Sequence, residues 1–191
     1  HACRVLNASN KAVFVTAGER TAAPDSIDHA SADGYQVVTV PQSIKDRLHD
    51  LKDLAGKPVR DLEVYRQEWA RSFQFKFVPR RGLTGDERRV FDLWPKIAGL
   101  AGGLRRSVRE IKISEVMRPD LRCNSEPVGR WEAERQRIII KRSQLRSIDA
   151  FAGTFLHELV HAQTGSEDVT REFEQALTDL LGKVSARALE A

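Results

Sequence analysis

Residues 148 to 164, IDAFAGTFLHELVHAQT, constrain this chain more than any other stretch, because one helical reading accounts for nearly every position. Set out at about 100° per residue, Ile148, Phe151, Ala152, Phe155, Leu156, Leu159 and Val160 cover roughly half the circumference. A helix with so broad an apolar side has to be packed into a core. Ser147 supplies the hydroxyl that caps its first turn. The opposite side carries His157 and His161 together with the small residues Ala150, Gly153 and Thr154, which leave room beside the two imidazoles.

Side chains four apart on a helix lie one above the other, so His157 and His161 can present two ring nitrogens to one metal ion. Glu158, one residue along, is then placed as a candidate base for metal-bound water. The plainer alternative is two histidines that face solvent or hydrogen-bond within the protein. Their pairing on a largely buried helix, in a chain with only five histidines, favours the metal. His1, His29 and His49 show no such pairing and read as ordinary surface or terminal residues.

The segment IDAFAGTFLHELVHAQTG resembles the active-site helix of the zincin metallopeptidases, and RQRIIIK before it suits their substrate-flanking sheet. The resemblance covers roughly residues 107 to 182 and is specific to the clan, not to a substrate. It implies Zn²⁺ held by His157 and His161, with Glu158 as general base. A narrower similarity joins LHELVHAQTGSEDVTREFEQALTDLLG to the peptidase tails of some bacterial proteins that begin with a gyrase-type ATPase module. It implies that the chain is a C-terminal piece of a larger protein, and a first residue, His1, that is not Met is what a fragment or processed form would show.

The third protein ligand is open at this level. Metzincins place a glycine and then His or Asp after the motif; here Gly165 comes one residue late and Asp168 follows it by three. Other zincins use a histidine beyond a turn, but none follows His161, so that route would need Glu167 or Asp168. Gluzincins take a glutamate from the next helix, and Val169, Phe173, Leu177, Leu180, Leu181 and Val184 form the stripe of such a helix, with Asp168 or Thr170 as its cap. If the two helices make an antiparallel hairpin, a rise of about 1.5 Å per residue brings the chain back to the level of the histidines about six residues after Asp168. That count ranks Glu174 first as a metal ligand, Glu172 second and Asp168 third. The same acids could instead serve only the positive N-terminal end of that helix.

Elsewhere, KAVFVT and YQVVTV read as strands around a short helix in PDSIDHASADG, a small β-α-β unit. Ser43 is expected to cap a helix carrying Ile44, Leu48, Leu51 and Leu54 that stops at Gly56, and a second helix from about Asp61 carries Leu62, Tyr65 and Trp69. The alternation in SFQFKFV, residues 72 to 78, predicts a half-buried strand. Thr84 and Glu87 form a capping box for a helix that Pro95 kinks, with Val90, Phe91, Trp94 and Ile97 facing the core. Residues 107 to 114 and 135 to 141 are strands, joined by a polar connection holding Pro119, Asn124, Pro127 and Gly129, and Trp131 starts the later strand or sits in a hairpin before it. The order is α+β: a zincin-like domain over residues 72 to 191, with a small mixed sheet, the HELVH helix and a C-terminal helix, preceded by an N-terminal α/β elaboration over residues 1 to 71.

No apolar run reaches the roughly 20 residues of a membrane helix, and no signal pattern stands at the start. Cys3 and Cys123 offer neither a disulfide framework nor a cysteine metal site, so a cytoplasmic location without a membrane partner is expected. The net charge of +4 is modest, and the arginine pairs are scattered as on a solvated face, although nucleic-acid contact is compatible with them. The sequence therefore predicts a zinc metalloendopeptidase acting on a protein or peptide substrate that adds to the edge of strand 107 to 114 or 135 to 141. The alternatives are a non-catalytic zinc-binding sensor or interaction module, which has no need of Glu158, and a nucleic-acid-associated peptidase. Arg171, Tyr35 and Tyr65 are the candidates for the oxyanion donor.

Overall fold

A computed structural model describes residues 3, 11–48, 51, 52, 56–104, 106–120 and 126–190. The chain divides into two compact units, His1–Gln74 with Arg118–Glu126, and Phe75–Met117 with Pro127–Ala191. Both mix helix and strand, an α+β protein.

The first unit is built on β1 (Ala12–Val15) and β2 (Gln36–Thr39), paired in parallel from Ala12↔Gln36 to Val15↔Thr39. Between them run α1 (Ala17–Ala22) and α2 (Pro24–Ala32), the helical crossover a parallel pair requires. All four β1 side chains are buried: Val13 and Val15 pack with Ile27, Leu62 and Tyr65, and Ala12 and Phe14 with Leu48 and Val59. Helix α3 (Gln42–Leu48) is shorter than the sequence suggests. It starts from the carbonyl of Pro41, so Ser43 lies inside it rather than at its cap, and beyond it Lys52 and Pro58 form an isolated antiparallel bridge. Leu54 and His49 lie outside the described residues, as do His1, Cys123 and Asn124. Helix α4 (Leu62–Ser72) is capped by Asp61, whose carboxylate accepts the Val64 N–H at 2.9 Å. Part of the polar connection, 118–126, joins this unit: Arg66 bonds the Asp120 carbonyl, and the Glu126 N–H reaches Asp25 at 3.4 Å.

In the second unit β3 (Phe77–Val78), β4 (Glu110–Ser114), β5 (Gly129–Glu132) and β6 (Arg137–Lys141) form one sheet in the order β3-β4-β6-β5. The central pair β4 and β6 is parallel; β3 and β5 are antiparallel at the two margins. The strand expected over 72 to 78 is only two residues long, because Ser72 still belongs to α4 and 73–76 carry no ladder. The alternating phenylalanines stack instead. Phe75 and Phe77 lie 5.3 Å apart with the Arg137 guanidinium over both.

The capping box of Thr84 and Glu87 opens α5 (Gly85–Phe91), and the chain then breaks before α6 (Trp94–Leu100), where Pro95 takes a first-turn position. Helix α7 (Ile148–Thr164) lies against β5 and β6, and α8 (Arg171–Leu189) lies against α7. Ile113, Ile138 and Ile140 meet Phe151, Phe155, Leu159 and Val160 in the core, with Phe173 and Leu180 from α8. Ile148, expected there, is 55% exposed because it lies in the first turn. Among the described residues no helix is long and apolar enough to cross a membrane.

Candidate metal centre

Ser147 caps α7 through the Ala150 N–H, and Gly165 ends it in the left-handed region at φ 72°. The turn between these limits and α8 carries the remaining part of the site. His157 Nε2 and His161 Nε2 are 3.2 Å apart, and Asp168 Oδ1 stands 3.0 Å from the first and 3.1 Å from the second. Among the described residues these three form the group of His, Cys, Asp or Glu side chains able to share an ion. An ion with tetrahedral bonds of about 2.0–2.1 Å holds its ligand atoms about 3.3 Å apart, and the observed triangle is close to that size.

The protonation pattern also suits a cation. The Ser166 carbonyl can only accept, so His161 Nδ1 donates to it at 2.8 Å, which turns Nε2 toward His157 and Asp168. Burial holds His157 below the ordinary imidazole range, against the pull of the Asp168 charge, and the nearby His161 lowers it further. The Phe173 ring underlies both imidazoles, at 4.8 Å from His157 and 4.5 Å from His161.

Glu174 and Glu172, the two leading candidates from the sequence, do not join the histidines. Helix α8 begins only at Arg171, capped by Thr170 through the Phe173 N–H at 3.2 Å. That start points Phe173 at the imidazoles and turns its exposed neighbours Glu172 and Glu174 about 100° to either side. Asp168, ranked third, is the acid brought to the site from the turn; its side chain is 63% exposed. Val169 beside it adopts φ 63°, an outlier for a β-branched residue.

Glu158 points away from solvent and is only 6% exposed. Burial pushes its carboxyl up to about 8, against a backbone hydrogen bond from Trp131 and the charge of Arg130 that favour the ionised form; the Asp168 charge raises it too. The strand β5 lies directly on this side chain. A Cβ at Gly129 would stand 2.5 Å from Glu158 Oε1 and 2.6 Å from Thr154 Cγ2, so only glycine fits. Thr154, expected to leave room, is buried, with its hydroxyl 3.3 Å from Gln144 Oε1.

Gly129, Trp131, Ser166 and Phe173 were not legible as site residues. Gly129 alone had a signal, a glycine two positions before a strand aromatic. Strands β4 and β6 are interior, each with two neighbours, so neither offers the edge expected of it; the margin beside α7 is β5. Tyr65 donates to Asp33 at 3.1 Å and Tyr35 packs edge-on against it, both within the first unit. Arg171 is exposed at the first position of α8. Comparison with protein-family models, curated proteins and solved structures finds no match to this chain.

Proposed function

We propose that the second unit is a zinc-dependent endopeptidase of the zincin type, in which His157, His161 and Asp168 hold the ion and Glu158 is the general base. The observation that carries this reading is the triangle of two imidazole nitrogens and a carboxylate oxygen, with edges of 3.0 to 3.2 Å, beside a buried carboxyl. When bound, the ion would polarise the scissile carbonyl, acidify water and favour the ionised form of Glu158. Glu158 would take a proton from the attacking water and return it to the leaving amine. Burial suits that role, since a carboxylate with a raised pKa is the stronger base. The Ser166 carbonyl orients His161, and Phe173 excludes water from beneath both rings. The substrate class is an extended peptide laid along the margin of β5, since β4 and β6 each have two neighbours in the sheet.

The test is metal analysis of the purified protein beside cleavage of a protein substrate such as casein. The expected result is about one equivalent of zinc, lost in His157→Ala. Glu158→Gln should keep the metal and lose cleavage, because it removes the base and leaves both imidazoles in place. A protein with α7 intact that takes up no zinc, or a Glu158→Gln variant that cleaves at the wild-type rate, would sink the proposal.

A further inference from the structure

The pairing of β5 decides what its open margin offers. The Lys141 N–H bonds the Val128 carbonyl at 2.9 Å, and the ladder continues as Gly129↔Ile140, Arg130↔Ile139, Trp131↔Ile138 and Glu132↔Arg137. Hydrogen-bonded pairs alternate along an antiparallel ladder, so Arg130 and Glu132 bond toward β6, whereas Gly129 and Trp131 turn their main-chain groups to the open side. Side chains alternate as well. A Cβ at Gly129 would meet Glu158 and Thr154, and Trp131 packs on the core, so these two positions face α7. Arg130 and Glu132 therefore face the opposite side of the sheet, with Arg137 of β6 and Glu110 and Lys112 of β4.

The strand acids on that side are already matched: Glu132 lies 2.5 Å from Arg137, and Glu110 lies 3.3 Å from Lys112. Arg130 is exposed on the marginal strand itself, and among the described residues its guanidinium makes no ion pair. A peptide running antiparallel to β5 would exchange main-chain bonds with Gly129 and Trp131. The peptide residue between those two bonded positions then stands opposite Arg130 in a non-hydrogen-bonded pair, with the Cα atoms only about 4.5 Å apart. Such a pair holds its side chains together on one face, where opposite charges attract and like charges repel. We propose that Arg130 is a specificity-determining residue of this margin, selecting extended peptides that carry Asp or Glu opposite it, one position from the residue that stands over Gly129 and Glu158. The assignment rests on the peptidase reading of the site. The selected side chain lies on the face turned away from α7, so the charge acts on the binding of the peptide and not on the chemistry.

Decapeptides that share one cleavage site and carry a single Glu, Gln or Lys at each other position in turn test this on the full, zinc-loaded chain. In the wild type one position should rank Glu above Gln above Lys, with the Glu and Lys peptides about fivefold or more apart in KM and alike in kcat. Arg130→Glu should reverse that order at the same position, Arg130→Gln should flatten it, and the other positions should keep theirs. The preference should shrink as ionic strength rises, because the pair is exposed. Calorimetric titration of the same peptides into zinc-loaded Glu158→Gln reads the ranking from binding alone and should return the same order. A wild type with no position that ranks Glu over Lys overturns the assignment without recourse to a variant. A ranking that Arg130→Glu leaves unchanged overturns it too, and in both cases the peptidase reading stands. No cleavage of any peptide by the zinc-loaded wild type overturns the peptidase reading and the assignment with it.

Discussion

Gly129→Ala inserts one methyl group between β5 and α7, and the structure says how far something must move. The new Cβ would lie 2.5 Å from Glu158 Oε1, 2.6 Å from Thr154 Cγ2 and 2.8 Å from Glu158 Cγ. Ordinary contacts are about 3.5 Å or more, so the shortfall is close to 1 Å. The strand cannot retreat without straining its ladder to β6, and α7 is fixed by Phe151, Phe155 and Leu159 in the core. The Glu158 side chain must therefore give way, at an overpacking cost of about 1–3 kcal/mol. Under the proposed role of Glu158 as base, a displacement of that size should cost on the order of 10²-fold in rate. The histidines are untouched, so metal content should stay at the wild-type value. Denaturant unfolding, zinc content and kcat on one peptide are measured on the same preparation. Adding Thr154→Ala removes one of the clashing methyls and should recover part of the stability lost. Wild-type stability together with wild-type kcat in Gly129→Ala would show that β5 does not lie against Glu158.

Asp168→Ala should lose zinc and Glu174→Ala should keep it, because Asp168 contributes the third atom of the triangle and Glu174 does not join it; metal analysis of the two variants decides, and the reverse outcome restores the glutamate as ligand. Glu87 is held at about 2 by the Arg142 guanidinium and the Thr84 N–H. A carboxylate with a depressed native pKa adds stability that is present above its unfolded value and lost as pH falls, here between about 4.5 and 2. Arg142→Ala should flatten that part of the stability curve, and an acid limb as steep as that of the wild type would contradict the assignment. Val169→Asn should raise stability by about 1 kcal/mol, because asparagine tolerates the left-handed backbone that valine resists; an unchanged denaturant midpoint would mean that the turn carries no strain.

Local chemistry made much of the fold legible. The capping boxes and caps at Thr84, Asp61 and Ser147 start helices where expected, since a cap is decided by residues within one turn. The β1-α-β2 unit was readable because β-branched runs flank a Pro and Gly-bounded helix. The predicted strand 72 to 78 failed for the same local reason: period-2 phenylalanines satisfy ring stacking on Arg137 as well as they satisfy a ladder. No pattern within one segment separates those two outcomes, because each depends on which partner arrives.

The candidate site divides along the same line. His157, Glu158 and His161 follow from the pitch of one helix, so the sequence could place them together. Asp168 and Gly129 depend on paths that leave helical geometry. Counting 1.5 Å per residue past the turn treats the segment after Gly165 as though it entered α8 at Asp168, but the chain spends Gly165 to Thr170 in the turn and starts the helix at Arg171. A delay of about three residues rotates the next helix by roughly 300°. That rotation sets Phe173 under the imidazoles and leaves the carboxylate to the turn. Gly129 is harder still, since its role is set by an approach of strand to helix so close that a Cβ there would stand less than 3 Å from Glu158, 29 residues further along the chain. The order of elements and their caps thus locates the imidazoles and Glu158, whereas Asp168 and the wall behind Glu158 are products of packing.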